Sequence, residues 1–89
     1  MPYIKQEKRK VFDEVLKELV RLLKEDEGSK HGNLNYCLTK LMLECLPEDY
    51  RYKDLQDMIG MITSCSNEFY RRLVSKYENE KIRTNGDVY

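Results

Sequence analysis

The chain has no tryptophan, a single histidine and two prolines among its 89 residues. One histidine, His31, cannot form a zinc-binding cluster, and the sequence has no Cys-x-x-Cys pair. A Cys–His nucleophilic pair would require this loop histidine to reach a cysteine on a helical face. The glycine-rich signatures of dinucleotide and phosphate-loop sites are also absent from the sequence. We therefore predict a non-enzymatic protein with no catalytic residue, no metal site and no cofactor.

A charge excess of one sign and long apolar runs are missing as well. Sixteen Lys and Arg residues balance sixteen Asp and Glu residues, so nucleic acid is an unlikely partner. No run of about 18 apolar residues is present to span a membrane, and the first residues do not resemble a signal peptide. The three cysteines are an odd set, typical of reduced, buried thiols. These features predict a cytoplasmic protein, in the host cytoplasm if its source is viral.

Helical periodicity is the strongest pattern present. In the first segment, apolar positions recur at helical spacing and cover about half of the helix circumference. Asn33 is a suitable N-cap for the second segment, and Pro47 ends it. The predicted helices and tail occupy residues 6–25, 34–46, 53–81 and 82–89.

The third predicted helix is too long for the second to cover. At about 1.5 Å per residue, the third spans about 43 Å and the second about 20 Å. Its apolar stripe is covered by the first helix or by another subunit, or the helix breaks near Ser75. Its far side carries small residues such as Gly60, which either permit close approach or are merely tolerated. We predict one all-α domain over residues 1–89, a three-helix bundle with a long third helix, packed as a homo-oligomer.

Cations, aromatics and amides alternate near the C-terminus. Arg71 falls on the small-residue side of the third helix and Arg72 at the margin of its apolar stripe. Each guanidinium can bind phosphate or carboxylate in bidentate fashion, although Arg72 could equally form a salt bridge to a neighbouring helix. Tyr77 could belong to a half-buried core. Asn85-Gly86 is a turn signal, after which the chain either folds back or frays.

Further candidates lie near the N-terminus. Lys5 belongs to a cluster of cations in the first turns of helix one, where the macrodipole disfavours them; a bound anion or a solvated basic patch would explain the cluster. Tyr3 either docks or is disordered. In a ligand site, cations would hold phosphate, tyrosines would stack on a base and asparagines would bind polar edges. The predicted ligand-binding residues are Tyr3, Lys5, Asn35, Arg71, Arg72, Tyr77, Lys81 and Asn85.

Several segments together resemble a known family. They are Pro2-Tyr3-Ile4-Lys5, Leu34-Asn35-Tyr36, Glu68-Phe69-Tyr70-Arg71-Arg72, Tyr77-Glu78-Asn79-Glu80-Lys81-Ile82 and Asn85-Gly86-Asp87-Val88-Tyr89. With them, essentially the whole chain resembles a small helical family carried by phages, prophages and some prokaryotic genomes. In that family a proline commonly precedes the tyrosine that matches Tyr77, whereas Lys76 stands here, which favours a continuous helix.

The resemblance implies a setting inside a prokaryotic cell, without an established activity. Small phage proteins of this kind resemble either sponges for nucleotide signals of host immunity or inhibitors of host proteins. Our leading hypothesis is a homo-oligomer that binds a small anionic, nucleotide-like ligand and sequesters such a signal. The alternative is an interaction module that docks a host protein through its C-terminal polar face. Binding of nucleic acid by the cations of residues 5–10 is the weakest hypothesis.

Overall fold

The computed structural model describes residues 2–89, and the part of the chain it describes contains helices and no strand. The predicted all-α fold is confirmed. The α-helices are α1 (Gln6–Glu25), α2 (Lys30–Glu44), α3 (Tyr52–Phe69) and α4 (Ser75–Asn85). A 3₁₀ turn, Glu27–Ser29, precedes α2, and a π-helical turn, Tyr70–Val74, joins α3 to α4. The described chain divides into two compact units, residues 2–55 and 56–89.

Helix α1 begins and ends at the predicted residues. Arg21 forms ion pairs with Glu18, at 2.5 Å, and with Glu25, one turn away on either side. Pairs at this spacing stabilise a helix by a few tenths of a kcal/mol each, about 0.2–0.5 kcal/mol. The hydrogen bond from Arg21 lowers the pKa of Glu18 below its ordinary value. At the N-terminal end, the Arg9 Nε donates a 2.8 Å hydrogen bond to the carbonyl of Ile4, which places this cation on the backbone.

Helix α2 begins four residues earlier than predicted, at Lys30 instead of Leu34. Asn33 therefore lies inside the helix and is not its N-cap. Its amide Nδ2 donates a 3.0 Å hydrogen bond to the Asp26 carboxylate, so the side chain fastens the connection to α1 instead. The 3₁₀ turn leads directly into α2, which uses up the glycine-containing segment that we predicted to be a loop. At the other end, Cys45 is the C-cap and Pro47 follows, as expected.

Helix α3 begins with a side-chain cap. The backbone N–H of Arg51 donates a 2.9 Å hydrogen bond to the Asp54 carboxylate, and the N–H of Asp54 donates a 3.0 Å bond back to the carbonyl of Arg51. This reciprocal pair satisfies groups that the first turn of a helix otherwise leaves unbonded. The helix therefore starts at Tyr52, one residue before the predicted start.

The unit formed by residues 56–89 is one helix with a wide turn in its middle. At Tyr70–Val74 the helix is π-helical, and the Ser75 N–H bonds to the carbonyl of Tyr70, five residues earlier. The helical path continues through Ser75, where a break was one of the predicted alternatives, and ends at Asn85. Residues 82–85, predicted to belong to the tail, are therefore helical. We call residues 56–85 the C-terminal helix.

No side chain among residues 2–89 is buried. Of the three cysteines, Cys37 is half-buried, while Cys45 and Cys65 are exposed, and all three are free thiols. The prediction of buried thiols is wrong. A cysteine on the apolar stripe of a helix is buried only where a second element covers that stripe.

Candidate functional site

Two predicted phosphate-binding residues, Arg71 and Arg72, share one carboxylate. Arg71 donates hydrogen bonds of 2.7 and 3.3 Å to the two oxygens of Glu68, and Arg72 Nε lies 3.7 Å from Glu68 Oε1. Both arginines belong to the π-helical turn, while Glu68 lies in the turn before it. The Glu68 side chain is 26% exposed, against more than 60% for either guanidinium-bearing side chain. Two cations on one anion leave an excess positive charge at this exposed position.

The π-helical turn explains why two consecutive arginines reach the same carboxylate. Consecutive residues of an α-helix point about 100° apart, which normally directs neighbours to different faces. Arg71 and Arg72 stand three and four residues after Glu68, the two spacings at which helical side chains meet. Glu68 thereby holds both guanidiniums on its side of the helix. π-Helical turns occur frequently at functional sites.

A second cluster lies one to three turns further on. The Lys81 ammonium stands 5.5 Å from the centre of the Tyr77 ring, within the range of a cation–π interaction. Tyr77 is 61% exposed, so the half-buried position allowed for it is not adopted. Its ring is nevertheless occupied on one side by a cation, and a stacking ligand would use the other side or displace Lys81.

Lys81 and Asn85 also line a hollow of about 230 Å³ at the end of the C-terminal helix. Gly86 ends the helix with φ 89°, a value that favours glycine, and turns the last residues back beside it. The hollow is lined by Glu78, Lys81, Ile82, Asn85, Gly86, Asp87, Val88 and Tyr89. Two acids in this lining offset its lysine, so the hollow itself has no excess positive charge. Its volume lies below the range of roughly 300–1,000 Å³ that is usual for small-molecule pockets.

The predicted residues of the C-terminal helix thus fall into two clusters. Arg72 and Lys81 are nine residues apart, which corresponds to about 13 Å along the axis. A single phosphate cannot contact both, whereas an extended ligand or a second copy of the chain could. We call the first cluster, Glu68 with Arg71 and Arg72, the arginine cluster, and the second, Tyr77 with Lys81 and Asn85, the tyrosine–lysine cluster.

The remaining candidates belong to the unit of residues 2–55. Lys5 is the N-cap of α1, and its carbonyl accepts the N–H of Lys8 at 3.0 Å. Asn35 is an exposed residue of α2, where its carbonyl and its side-chain oxygen accept hydrogen bonds from the Thr39 hydroxyl, at 2.8 and 3.3 Å. Tyr3 is 54% exposed and precedes the helix. Within their unit these residues stand on separate elements, so sequence position alone did not predict a shared site.

Glu68 is the residue that sequence reasoning missed. We singled out the cations and overlooked the acid that holds them. The signal was available, because a glutamate three and four residues before two arginines is placed to pair with both on a helix. Among residues 2–89 no group of His, Cys, Asp and Glu side chains is arranged to hold a metal ion. None of the helices in the same part of the chain is long and apolar enough to cross a membrane.

Comparison with known proteins gives one match, to a family model. Residues 1–88 match the model described as a domain of unknown function, DUF6899. No curated protein and no solved structure matches the chain. The match spans both units and includes each of the segments on which the resemblance rested. The chain is a member of the DUF6899 family.

Proposed function

We propose that the protein is a non-enzymatic helical binding protein that acts as a homo-oligomer. The exposed apolar stripe of the C-terminal helix carries this proposal. Phe69, Leu73 and Tyr77 are each more than half exposed. Burying a side chain of this size contributes about 1.5–3 kcal/mol, and a symmetric pair of copies would bury each of them twice. That gain is of the same order as the roughly 4–15 kcal/mol that association costs.

The ligand we propose is a small anionic molecule of nucleotide type. The arginine cluster supports this choice, because two guanidiniums on one carboxylate leave donors and charge for a phosphate group. Tyr77 supplies a ring on which a base can stack, as aromatic side chains do in nucleic-acid sites. In a phage such a protein would sequester a nucleotide signal of host immunity, a role that rests on the family resemblance alone.

Titration calorimetry tests the ligand proposal directly. The wild-type protein would be titrated with cyclic nucleotides and ADP-ribose derivatives, and Arg71→Ala and Arg72→Ala should each weaken binding at least tenfold. Arg83→Ala is the matched control, since Arg83 is a cation of the same helix that pairs with Glu80 outside the arginine cluster. Equal losses in all three variants would indicate a general charge effect, and no binding by the wild type would exclude this panel of ligands.

The second candidate function is docking of a host protein through the C-terminal polar face. The last two residues favour it, because Val88 is 92% exposed and Tyr89 is fully exposed. An exposed apolar side chain and an aromatic ring at a chain end are suited to insertion into a partner. Removing residues 86–89 should abolish capture of such a partner and leave nucleotide binding at the arginine cluster unchanged.

A further inference from the structure

The π-helical turn aligns the apolar stripe of the C-terminal helix. In a regular α-helix, an i to i+4 step overshoots a full turn by about 40°, so Tyr77 would stand about 80° away from Phe69. The wide turn adds one residue without adding rotation, which subtracts about 100° and returns Tyr77 to within about 20° of Phe69. Ile62 lies seven residues before Phe69, also within about 20°. The stripe Ile62–Phe69–Tyr77 therefore follows a nearly straight line.

A straight apolar line along a helix is the geometry that a second helix covers. Side chains at heptad spacing form the seam of a two-helix pair, and cations and acids beside the seam decide the orientation. Met58, Ile59, Cys65 and Leu73 flank the line at helical spacing. Among them Ile59 is 56% and Leu73 55% exposed, so the seam is open in the single chain.

Charge is distributed unequally along the C-terminal helix. Residues 56–69 carry two acids, Asp57 and Glu68, and no cation. Residues 70–85 carry five cations against two acids, which gives a net charge of +3 from 5 − 2. Parallel pairing of two copies would place like charges side by side. Antiparallel pairing would place the acidic half of one copy against the basic half of the other, which is favourable.

From these observations we infer that the C-terminal helices of two copies pair in antiparallel orientation, with the two-fold axis beside Phe69 and Tyr70. The inference rests on the proposed self-association and gives it a register. About this axis Ile62 of one copy faces Tyr77 of the other, and Cys65 faces Leu73. Asp57 of one copy lies beside Lys81 of the other. The arginine clusters of the two copies flank the axis, so one ligand could contact both.

Disulfide formation tests the register. The full chain with Cys37→Ser and Cys45→Ser keeps Cys65 as its only thiol. In antiparallel pairs two Cys65 residues stand about 13 Å apart along the axis, beyond the roughly 7 Å between Cα atoms that a disulfide permits. Oxidation should leave this protein uncrosslinked on a denaturing gel. Adding Leu73→Cys should give a covalent dimer, and adding Asn67→Cys, on the far side of the helix, should not.

The outcomes separate the inference from the proposed function. Rapid crosslinking through Cys65 alone indicates parallel pairing and overturns the inference. So does a light-scattering mass of two or more chains without any crosslink from Leu73→Cys. A mass of 10.7 kDa for the wild-type protein would overturn the self-association as well.

A charge exchange tests the same register without altering the apolar seam. Asp57→Lys should raise the dissociation constant of the dimer severalfold at low salt, and Asp57→Lys combined with Lys81→Asp should restore it. Failure of the second substitution to rescue the first, in a protein that still associates, would overturn the antiparallel register.

Discussion

Lys81 places its ammonium 5.5 Å from the centre of the Tyr77 ring, one helical turn away. An exposed cation–π pair of this kind contributes about 0.5–1 kcal/mol. We expect Lys81→Met and Tyr77→Leu each to lower helix stability by that amount, with a double variant no less stable than the weaker single variant. Thermal unfolding followed by circular dichroism would measure the coupling. Additive losses would show that the two side chains do not interact.

Replacing Glu68 by glutamine should strengthen anion binding. The carboxylate that Arg71 and Arg72 share competes with a phosphate for the same guanidinium donors. Its loss also raises the local charge by one. We expect Glu68→Gln to tighten binding of a nucleotide ligand several-fold in calorimetry, with a steeper dependence on salt.

Glu80→Gln is the matched control for this change. It removes the same charge from a carboxylate that pairs with Arg83 on the same helix. Equal tightening by both variants would mean that net charge, and not release of the arginine cluster, governs the affinity. Weaker binding by Glu68→Gln would mean that the glutamate orients the arginines for the ligand.

Two glycines of the same unit should respond to alanine in opposite ways. Gly86 has φ 89°, so Gly86→Ala should disturb the end of α4 at a local cost of about 1–3 kcal/mol. Gly60 lies in the interior of α3, and an added Cβ would meet nothing within 4 Å. Gly60→Ala should therefore stabilise the helix by about 1 kcal/mol.

Amide hydrogen exchange along the C-terminal helix would separate the two effects. Faster exchange confined to the last turn is expected for Gly86→Ala, and slower exchange in the middle of α3 for Gly60→Ala. If Gly60→Ala instead destabilised the protein, another helix would have to pack closely against that position, as the small-residue side of the helix originally allowed.

The ion pairs of Arg21 predict a pH dependence in α1. The pKa of Glu18 in the folded chain is lowered by the hydrogen bond from Arg21. A depressed carboxyl pKa contributes stability that is present above the unfolded pKa, near 4.5, and is lost as the pH falls through the lower folded value. Glu18→Gln should therefore be less stable than wild type at pH 7 and equal to it at strongly acidic pH.

Glu14→Gln is the control for the acidic transition. Glu14 is an exposed acid of the same helix with no ion-pair partner among residues 2–89. Circular dichroism at neutral and acidic pH should show no difference between this variant and wild type. A pH-dependent loss of the same size in both variants would contradict a specific role of the Arg21 pair.

Comparison of sequence and structure shows which signals are local. Helix α1 was predicted at both ends because its amphipathic pattern is unbroken from Gln6 to Glu25. The start of α2 was missed because the side chain of Asn33 has two possible uses, as a cap or as a partner of Asp26, and the sequence does not distinguish them. A glycine-containing segment that continues as helix has no separate sequence pattern.

The candidate site was predictable in composition and not in arrangement. The cations of the C-terminal helix were identified from residue type, and their shared acid was not. The π-helical turn escaped detection because apolar residues at i, i+4 and i+8 are compatible both with a drifting stripe on an α-helix and with a straight stripe across one wide turn. Choosing between them requires the backbone hydrogen bond from Ser75 to Tyr70.

That wide turn makes the length of the helix matter at the level of a single residue. Deleting any one residue of Tyr70–Val74 would allow a regular α-helix and rotate everything after it by about 100°. Tyr77, Lys81 and the chain end would then face another direction, although nearly every side chain would be retained. A deletion among Glu27–Ser29, in a turn between helices, would impose no such rotation within the C-terminal helix. Insertions and deletions in this family should therefore avoid the π-helical segment far more strictly than substitutions do.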